Sequence, residues 1–274
     1  MTPWQAIVLG VVEGLTEYLP VSSTGHLCLA QSLMGIGDAT DTKEAADAYA
    51  IAIQLGAILA VAWLYWGRVR QAASGLTRQH PEGRRLLVNV AIAFAPAAAT
   101  GLLLEPLIKA YLFGLWPIAA AWFVGGVVLL VPSRLSGGRP QGGREMEDLQ
   151  PRQALVIGAA QLVAMWPGVS RSLVTIVAGT AVGLSTAAAV EFSFLLGLVT
   201  LGAATCAEMA LQGHEIVRTF GLGLPLLGLA VALVSAAAAV KWMVAYVSRH
   251  GLRVFGYYRV ALGVAVAAWL LAAR

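Results

Sequence analysis

The stretch EGLTEYLPVSSTGH, residues 13–26, holds Glu13, Glu17, Ser22, Ser23, Thr24 and His26 between apolar flanks. Glu13 and Glu17 are four residues apart, so a helix puts them on one face, about a turn apart. An ionised carboxylate at the centre of a membrane helix costs about 2.5–3.5 kcal/mol. Two such charges also repel unless a cation lies between them. The pair therefore suits a divalent cation. Mg²⁺ is the simplest choice, since it binds a few carboxylates and keeps water and phosphate oxygens as its other ligands. Ca²⁺ is the other candidate. The bland alternative is a protonated or interfacial pair. After Pro20, Ser23 or Thr24 is expected to cap a short helix beginning near residue 27. His26 at its start offers a neutral imidazole, usable as a general base or as a nucleophile.

A second cluster reads PGVSRS, residues 167–172, with Thr175 one turn on. Gly168 allows a tight turn, and a helix is expected to start near Ser172. Arg171 reads as the only arginine away from the loops and termini. A guanidinium, hydroxyls and free N–H groups at a helix N-terminus make a phosphate cradle. Ser170, Ser172, Thr175 and Ser22 would contribute to it. Alternatively, Arg171 neutralises Glu13 or Glu17 as a buried pair, and both arrangements fit one protein before substrate binds. Gln54, Glu191, Ser193 and Gln161 are lesser candidates. Trp4, Trp63, Trp66, Trp116 and Trp122 read as interfacial or packing residues.

The elements that must position these residues are membrane helices. The chain has 274 residues, 59% hydrophobic and only 12% charged. A soluble domain carries about 25% charged residues. Apolar runs at 45–66, 86–104, 116–131, 186–206, 224–246 and 257–273 are each suited to crossing about 30 Å of hydrocarbon. Arginines gather in 67–85, 134–153 and 247–256, with Arg259 just beyond, which places these loops in the cytoplasm. The net charge of +4 follows from those loops and does not call for nucleic acid. No Lys or Arg precedes Lys43, so a secretory signal is not expected. Cys28 and Cys206 are not spaced for a metal.

Residues 4–34 and 154–184 do not fit as crossings. Each is a pair of short apolar pieces around a polar Pro/Ser loop, which reads as a re-entrant hairpin. Displaced by 148 residues, Gly10 falls on Gly158, Glu13 on Gln161, Val21 on Val169 and Ser22 on Ser170. Three crossings separate the hairpins, so the first enters from outside and the second from the cytoplasm. The expected fold is an all-α integral membrane protein with an inverted-topology repeat. Each unit is one re-entrant hairpin plus three transmembrane helices, giving six crossings. Residues 1–274 form a single membrane domain: a first repeat at 1–133, a flexible cytoplasmic linker at 134–153 and a second repeat at 154–274. Such folds build their site near the midplane, where broken helices meet.

The two clusters together resemble the undecaprenyl-diphosphatase family, also called the bacitracin-resistance protein family. EGLTEYLPVSSTGHL is similar to the family's E-x-x-x-E stretch with its serine pair and histidine. PGVSRSLVT is similar to P-G-x-S-R-S-x-x-T. AIQLGAILAV and EFSFLLG are also similar to family segments, and the likeness spans the chain. Leu173-Val174 departs from the small residues usual there. The resemblance implies an integral phosphatase that uses a divalent cation to remove one phosphate from a C55 isoprenyl diphosphate. The product is the lipid carrier for peptidoglycan precursors. It also implies Glu13 and Glu17 as the acidic pair, Ser23 and His26 as first-loop catalytic residues, and Ser170, Arg171, Ser172 and Thr175 as phosphate residues. The expected location is a bacterial plasma membrane, with the site open to the outer face and membrane lipids around it. Helices rich in Gly and Ala admit a homodimer. The nucleophile stays open between Ser23, His26 and water. A lipid-phosphate flippase on the same repeat is the rival reading.

Overall fold

The computed structural model describes residues 1–37, 40–77, 80–131 and 143–273, and at 40–44, 102–107 and 109–110 the backbone alone. Arg78, Arg134 and Arg139 of the two basic stretches 67–85 and 134–153 lie outside the described residues, as do the side chains of Lys43 and Lys109.

The described chain is helical. It runs α1 (Pro3–Thr16), α2 (Ser23–Leu33), α3 (Thr40–Leu64), α4 (Trp66–Ser74), α5 (Pro81–Tyr111), α6 (Leu115–Leu130), α7 (Pro151–Ala160), α8 (Arg171–Ala181), α9 (Thr186–Phe220), α10 (Gly223–His250) and α11 (Arg253–Ala272). Among the described residues, four spans are long and apolar enough to cross a membrane: Ala45–Leu64, Thr186–Phe220, Gly223–His250 and Arg253–Ala272. Of the other two expected crossings, 116–131 falls on α6, a shorter apolar helix, and 86–104 falls on α5. Large apolar side chains such as Leu33, Val234, Leu226 and Leu271 stand exposed around the outside. That surface suits lipid rather than water. The protein is an all-α membrane protein.

Small residues let the helices approach closely, as they must where lipid gives no hydrophobic drive. Gly10 and Gly14 press α1 against the α10 backbone at Gly228 and Ala232, and Gly56 presses α3 against α10 at Leu229. Gly158 presses α7 against the α5 backbone at Ala93. Gly126 and Gly263 do the same between α6 and α11.

Both short helices that follow the polar loops begin in the same way. Ser22 (φ 74°) caps α2 and accepts a hydrogen bond from the Gly25 amide. Ser170 (φ 76°) caps α8 and accepts from the Leu173 amide at 3.3 Å. These are the two non-glycine residues with positive φ among those described. Backbone in that region costs about 1–3 kcal/mol and persists only where its surroundings hold it. The starts expected near residues 27 and 172 thus move to Ser23 and Arg171, because the capping serines lie just upstream. Gly168, at φ +94°, makes the expected turn.

The connector is described only from Gly143 onward. Its residues 134–142 lie outside the described residues. From Gly143 it is pinned: Arg144 and Leu184 form a bridge, Arg144 N donates to Gly183 O at 2.9 Å, and Met146 and Leu149 are buried in the core. Flexibility expected across 134–153 therefore does not extend to 143–150. The stretches left between the expected crossings at 105–115 and 207–223 are mostly helix, since α5 continues to Tyr111 and α9 to Phe220.

Candidate active site

α1 ends at Thr16 with Glu17 as its C-cap, so Glu17 emerges where the first loop turns. Its side chain is a hub. Oε1 accepts from Arg171 Nη2 at 3.0 Å, while Oε2 accepts from the Ser23 hydroxyl and from Gln54 Nε2 at 3.2 Å. The Glu17 and Arg171 side chains are 5% and 9% exposed. The two loops therefore meet through a buried ion pair, the alternative weighed for Arg171.

Arg171 does more than neutralise. Its Nη1 donates to Ser193 O at 3.0 Å, its guanidinium lies 5.2 Å from the Tyr18 ring centroid, and its Nε has no partner among the described residues. Thr175 braces this side by donating to Arg171 O at 2.9 Å and sharing a hydrogen bond with Ser193 Oγ at 2.7 Å. Gly197 leaves the room the guanidinium fills, since a Cβ there would collide with it. Ser172 donates to Leu19 O at 2.9 Å and lies 3.0 Å from Ser170 Oγ. The loops are thus joined a second time.

Glu13 lies one turn back on α1, fully buried, and neither carboxylate oxygen has a hydrogen-bond partner among the described residues. The charges that act on it are Glu17 and Arg171. A buried carboxylate with both oxygens free needs a proton or a cation. Glu13 therefore fits a divalent ion. Glu17 fits one only by releasing one of its three donors. No group of three or more His, Cys, Asp or Glu gathers among the described residues. A two-carboxylate set still matches Mg²⁺, which draws its other ligands from water and phosphate.

His26 lies in the first turn of α2. Its Nδ1 is 2.6 Å from Ser22 O, its Nε2 is 2.7 Å from the Tyr258 hydroxyl, and its ring meets Trp122 edge-on at 5.0 Å. No hydrogen bond joins it to Ser23 among the described residues; Ser23 is bonded to Glu17. Trp122 is fully buried, and its Nε1 donates to Val21 O at 2.9 Å, so it holds the first loop from α6.

Two residues of α11 escape a reading by sequence. Arg259, counted above as a loop-side arginine, is fully buried. It donates to Pro20 O at 3.2 Å in the first loop, Gly168 O at 2.9 Å in the second, and Ala121 O at 2.9 Å on α6. Arg171 is therefore not alone. Tyr258, next to it, reaches His26. Following a basic loop, Arg259 looks like one more positive-inside charge, and only a helix start at Arg253 moves it into the core.

Gln54 also bonds Thr205 at 3.2 Å, and Gln161 accepts from Thr200 at 3.4 Å. Glu191 faces away from the second loop and pairs with Arg68 at 2.8 Å, which also holds Glu147 at 2.6 Å. Hydrogen bonding to Glu191 raises the Arg68 guanidinium above its ordinary range, against the effect of burial. For Glu147, burial pushes upward, but its own backbone amide and Arg68 hold the carboxyl below the usual range.

Comparison with known proteins gives the constellation a family. The family model described as bacitracin resistance protein BacA matches residues 6–265. The chain belongs to the BacA family. A Sorangium cellulosum protein called undecaprenyl-diphosphatase is 46% identical over 97% of this chain and 86% of its own length. Burkholderia lata undecaprenyl-diphosphatase 1 and Rhodospirillum rubrum undecaprenyl-diphosphatase 2 are 43% and 42% identical, each over 96% of this chain and 93% of its own. Both polar loops, and Tyr258 and Arg259 of α11, lie within the matched span.

Proposed function

We propose that the protein is an undecaprenyl-diphosphatase of a bacterial plasma membrane, hydrolysing undecaprenyl diphosphate to undecaprenyl phosphate and inorganic phosphate. This recycles the carrier lipid of peptidoglycan synthesis and confers bacitracin resistance. The observation that carries the reading is the buried junction of Glu17, Ser23 and Arg171, drawn from two loops far apart in sequence. The names of BacA relatives support hydrolysis and give the flippase reading no support. A passive scaffold would leave the gathering of polar groups in two loops without a reason.

The diphosphate enters between the loops while the prenyl tail lies among the helices. Arg171, with its unpartnered Nε and the N-terminal amides of α8, binds the terminal phosphate and stabilises charge built up in transfer. Ser170, Ser172, Thr175 and Ser22 shape that cradle. Glu13 and Glu17 would hold Mg²⁺, with Ca²⁺ the other candidate, and the ion would screen phosphate charge. In this reading Ser23 attacks the terminal phosphorus as Glu17 takes its proton, the bond from that phosphorus to the bridging oxygen breaks and undecaprenyl phosphate leaves, and His26 then serves the water that frees the phosphate from Ser23. Water or His26 as nucleophile remains the competing assignment.

The fold behind this is an inverted repeat of two re-entrant hairpins and six crossings, with repeats at 1–133 and 154–274. Three likenesses support it. α2 and α8 have equal length, 11 residues, and matching serine caps. α1 and α7 both begin with Pro inside a capping box. Gly10 meets α10 as Gly158 meets α5. The site opens to the outer face, and two copies form a homodimer.

The test is phosphate release from undecaprenyl diphosphate by purified protein in detergent, where no gradient exists, with and without a chelator. Release that stops on chelation supports the reading; lipid binding without release overturns it. Acid quench and mass spectrometry separate a Ser23 phosphoenzyme from attack by water.

A further inference from the structure

The surroundings of His26 leave it one outlet. Its Nδ1 faces the Ser22 carbonyl at 2.6 Å, and a carbonyl only accepts, so Nδ1 carries the ring's N–H. In the neutral ring the lone pair is then on Nε2. That nitrogen meets the Tyr258 hydroxyl at 2.7 Å, which must donate to it. Trp122 packs against the ring from one side, at 5.0 Å. The Tyr258 ring lies nearly parallel to the imidazole, at 6° with centroids 5.7 Å apart. His26 is half-buried, while Tyr258 is 45% exposed. Arg259 anchors this part of α11 to both loops, which fixes where Tyr258 stands.

We propose that Tyr258 is the proton relay of His26, and so a further catalytic residue of the site. The proposal rests on the reading of His26 as the base that serves the attacking water. As the water oxygen bonds to phosphorus, its proton passes to the Tyr258 oxygen and the Tyr258 proton passes to His26 Nε2. Tyr258 stays neutral, and His26 becomes an imidazolium with Nδ1–H still on Ser22 O. The Ser23–phosphorus bond breaks, and Ser23 recovers from Glu17 the proton it gave up on attack. The imidazolium then returns its proton to solvent through Tyr258 as phosphate leaves.

The test is Tyr258→Phe in the full-length protein in detergent, which keeps the stacked ring and removes only the hydroxyl. General acid–base catalysis contributes about 10²–10⁴-fold. The expected result is a kcat at least about tenfold lower, with KM for undecaprenyl diphosphate within about twofold and an unchanged melting temperature. Nitrogen-15 NMR of labelled histidine should show, in the unsubstituted protein, Nδ1 protonated and Nε2 bare but hydrogen-bonded. In Tyr258→Phe the Nε2 signal should move to the unbonded position while Nδ1 stays protonated. An unchanged or raised kcat overturns the relay, as does a protonated Nε2 in the unsubstituted protein, a result that does not depend on how the variant folds. His26→Ala separates the two claims: full activity there sinks the base role itself, while loss there with an active Tyr258→Phe sinks only the relay.

Discussion

Substitution of Arg171 by Met leaves the Glu17 carboxylate in place without its counter-charge. The pair is 3.0 Å apart with side chains 9% and 5% exposed, so water replaces little of what is lost. Ser23 and Gln54 still donate to Glu17, but neither brings a charge. Breaking a buried pair from one side costs about 3–5 kcal/mol, whereas replacing both partners is often nearly neutral. Glu17→Gln leaves the opposite orphan, a guanidinium without its counter-charge that keeps, among the described residues, Ser193 O and the Tyr18 ring. Each single variant should lose about 3–5 kcal/mol. The double variant should fall short of the summed losses by at least about 2–3 kcal/mol. Equilibrium unfolding in mixed micelles, followed by loss of helix, measures all four proteins. Additivity within about 0.5 kcal/mol would refute the pairing of the two loops through these charges.

Ser170→Ala loses the α8 cap and keeps the positive φ, whereas Ser170→Gly loses the cap but relaxes the backbone, so the glycine variant should be the more stable by about 1 kcal/mol in the same unfolding assay. Glu13→Gln should hold or raise stability, because neither oxygen of the buried carboxylate has a hydrogen-bond donor to lose among the described residues, yet should abolish chelator-sensitive phosphate release. Against burial, its own backbone amide and Arg68 hold the Glu147 carboxyl below the usual carboxylate range, so the pair adds stability above that range and loses it as pH falls through the lower folded value. The stability gap between the parent and Arg68→Met should therefore be present at neutral pH and narrow in acid, read from melting temperatures across pH.

The candidate site is legible where polar chemistry is concentrated in sequence. Glu13, Glu17, Ser23 and His26 are polar groups in an apolar stretch, and Arg171 is a charge behind a Pro-Gly turn. Their types alone demand partners in lipid. The partners themselves were hard to read. Tyr258 and Arg259 reach the loops only because α11 packs on α6 through Gly126 and Gly263, which no local pattern announces. Trp122 looks like any interfacial tryptophan until its indole is seen to hold Val21. Helix starts missed for a local reason, since a positive-φ serine cap leaves no trace in hydrophobic periodicity. Ser22 and Ser170 cap their helices alike, although the letter-by-letter likeness of the two stretches is weak.

The central claim is that Arg171 from the second loop and the carboxylates of the first act on one diphosphate. Arg171→Lys keeps the charge but loses the fork that reaches two acceptors at once. Phosphate release from undecaprenyl diphosphate by the purified, folded variant measures the consequence directly. A charge-assisted hydrogen bond is worth about 1.5–3 kcal/mol, so kcat/KM should fall roughly 10- to 150-fold. Turnover equal to that of the parent protein would contradict the account.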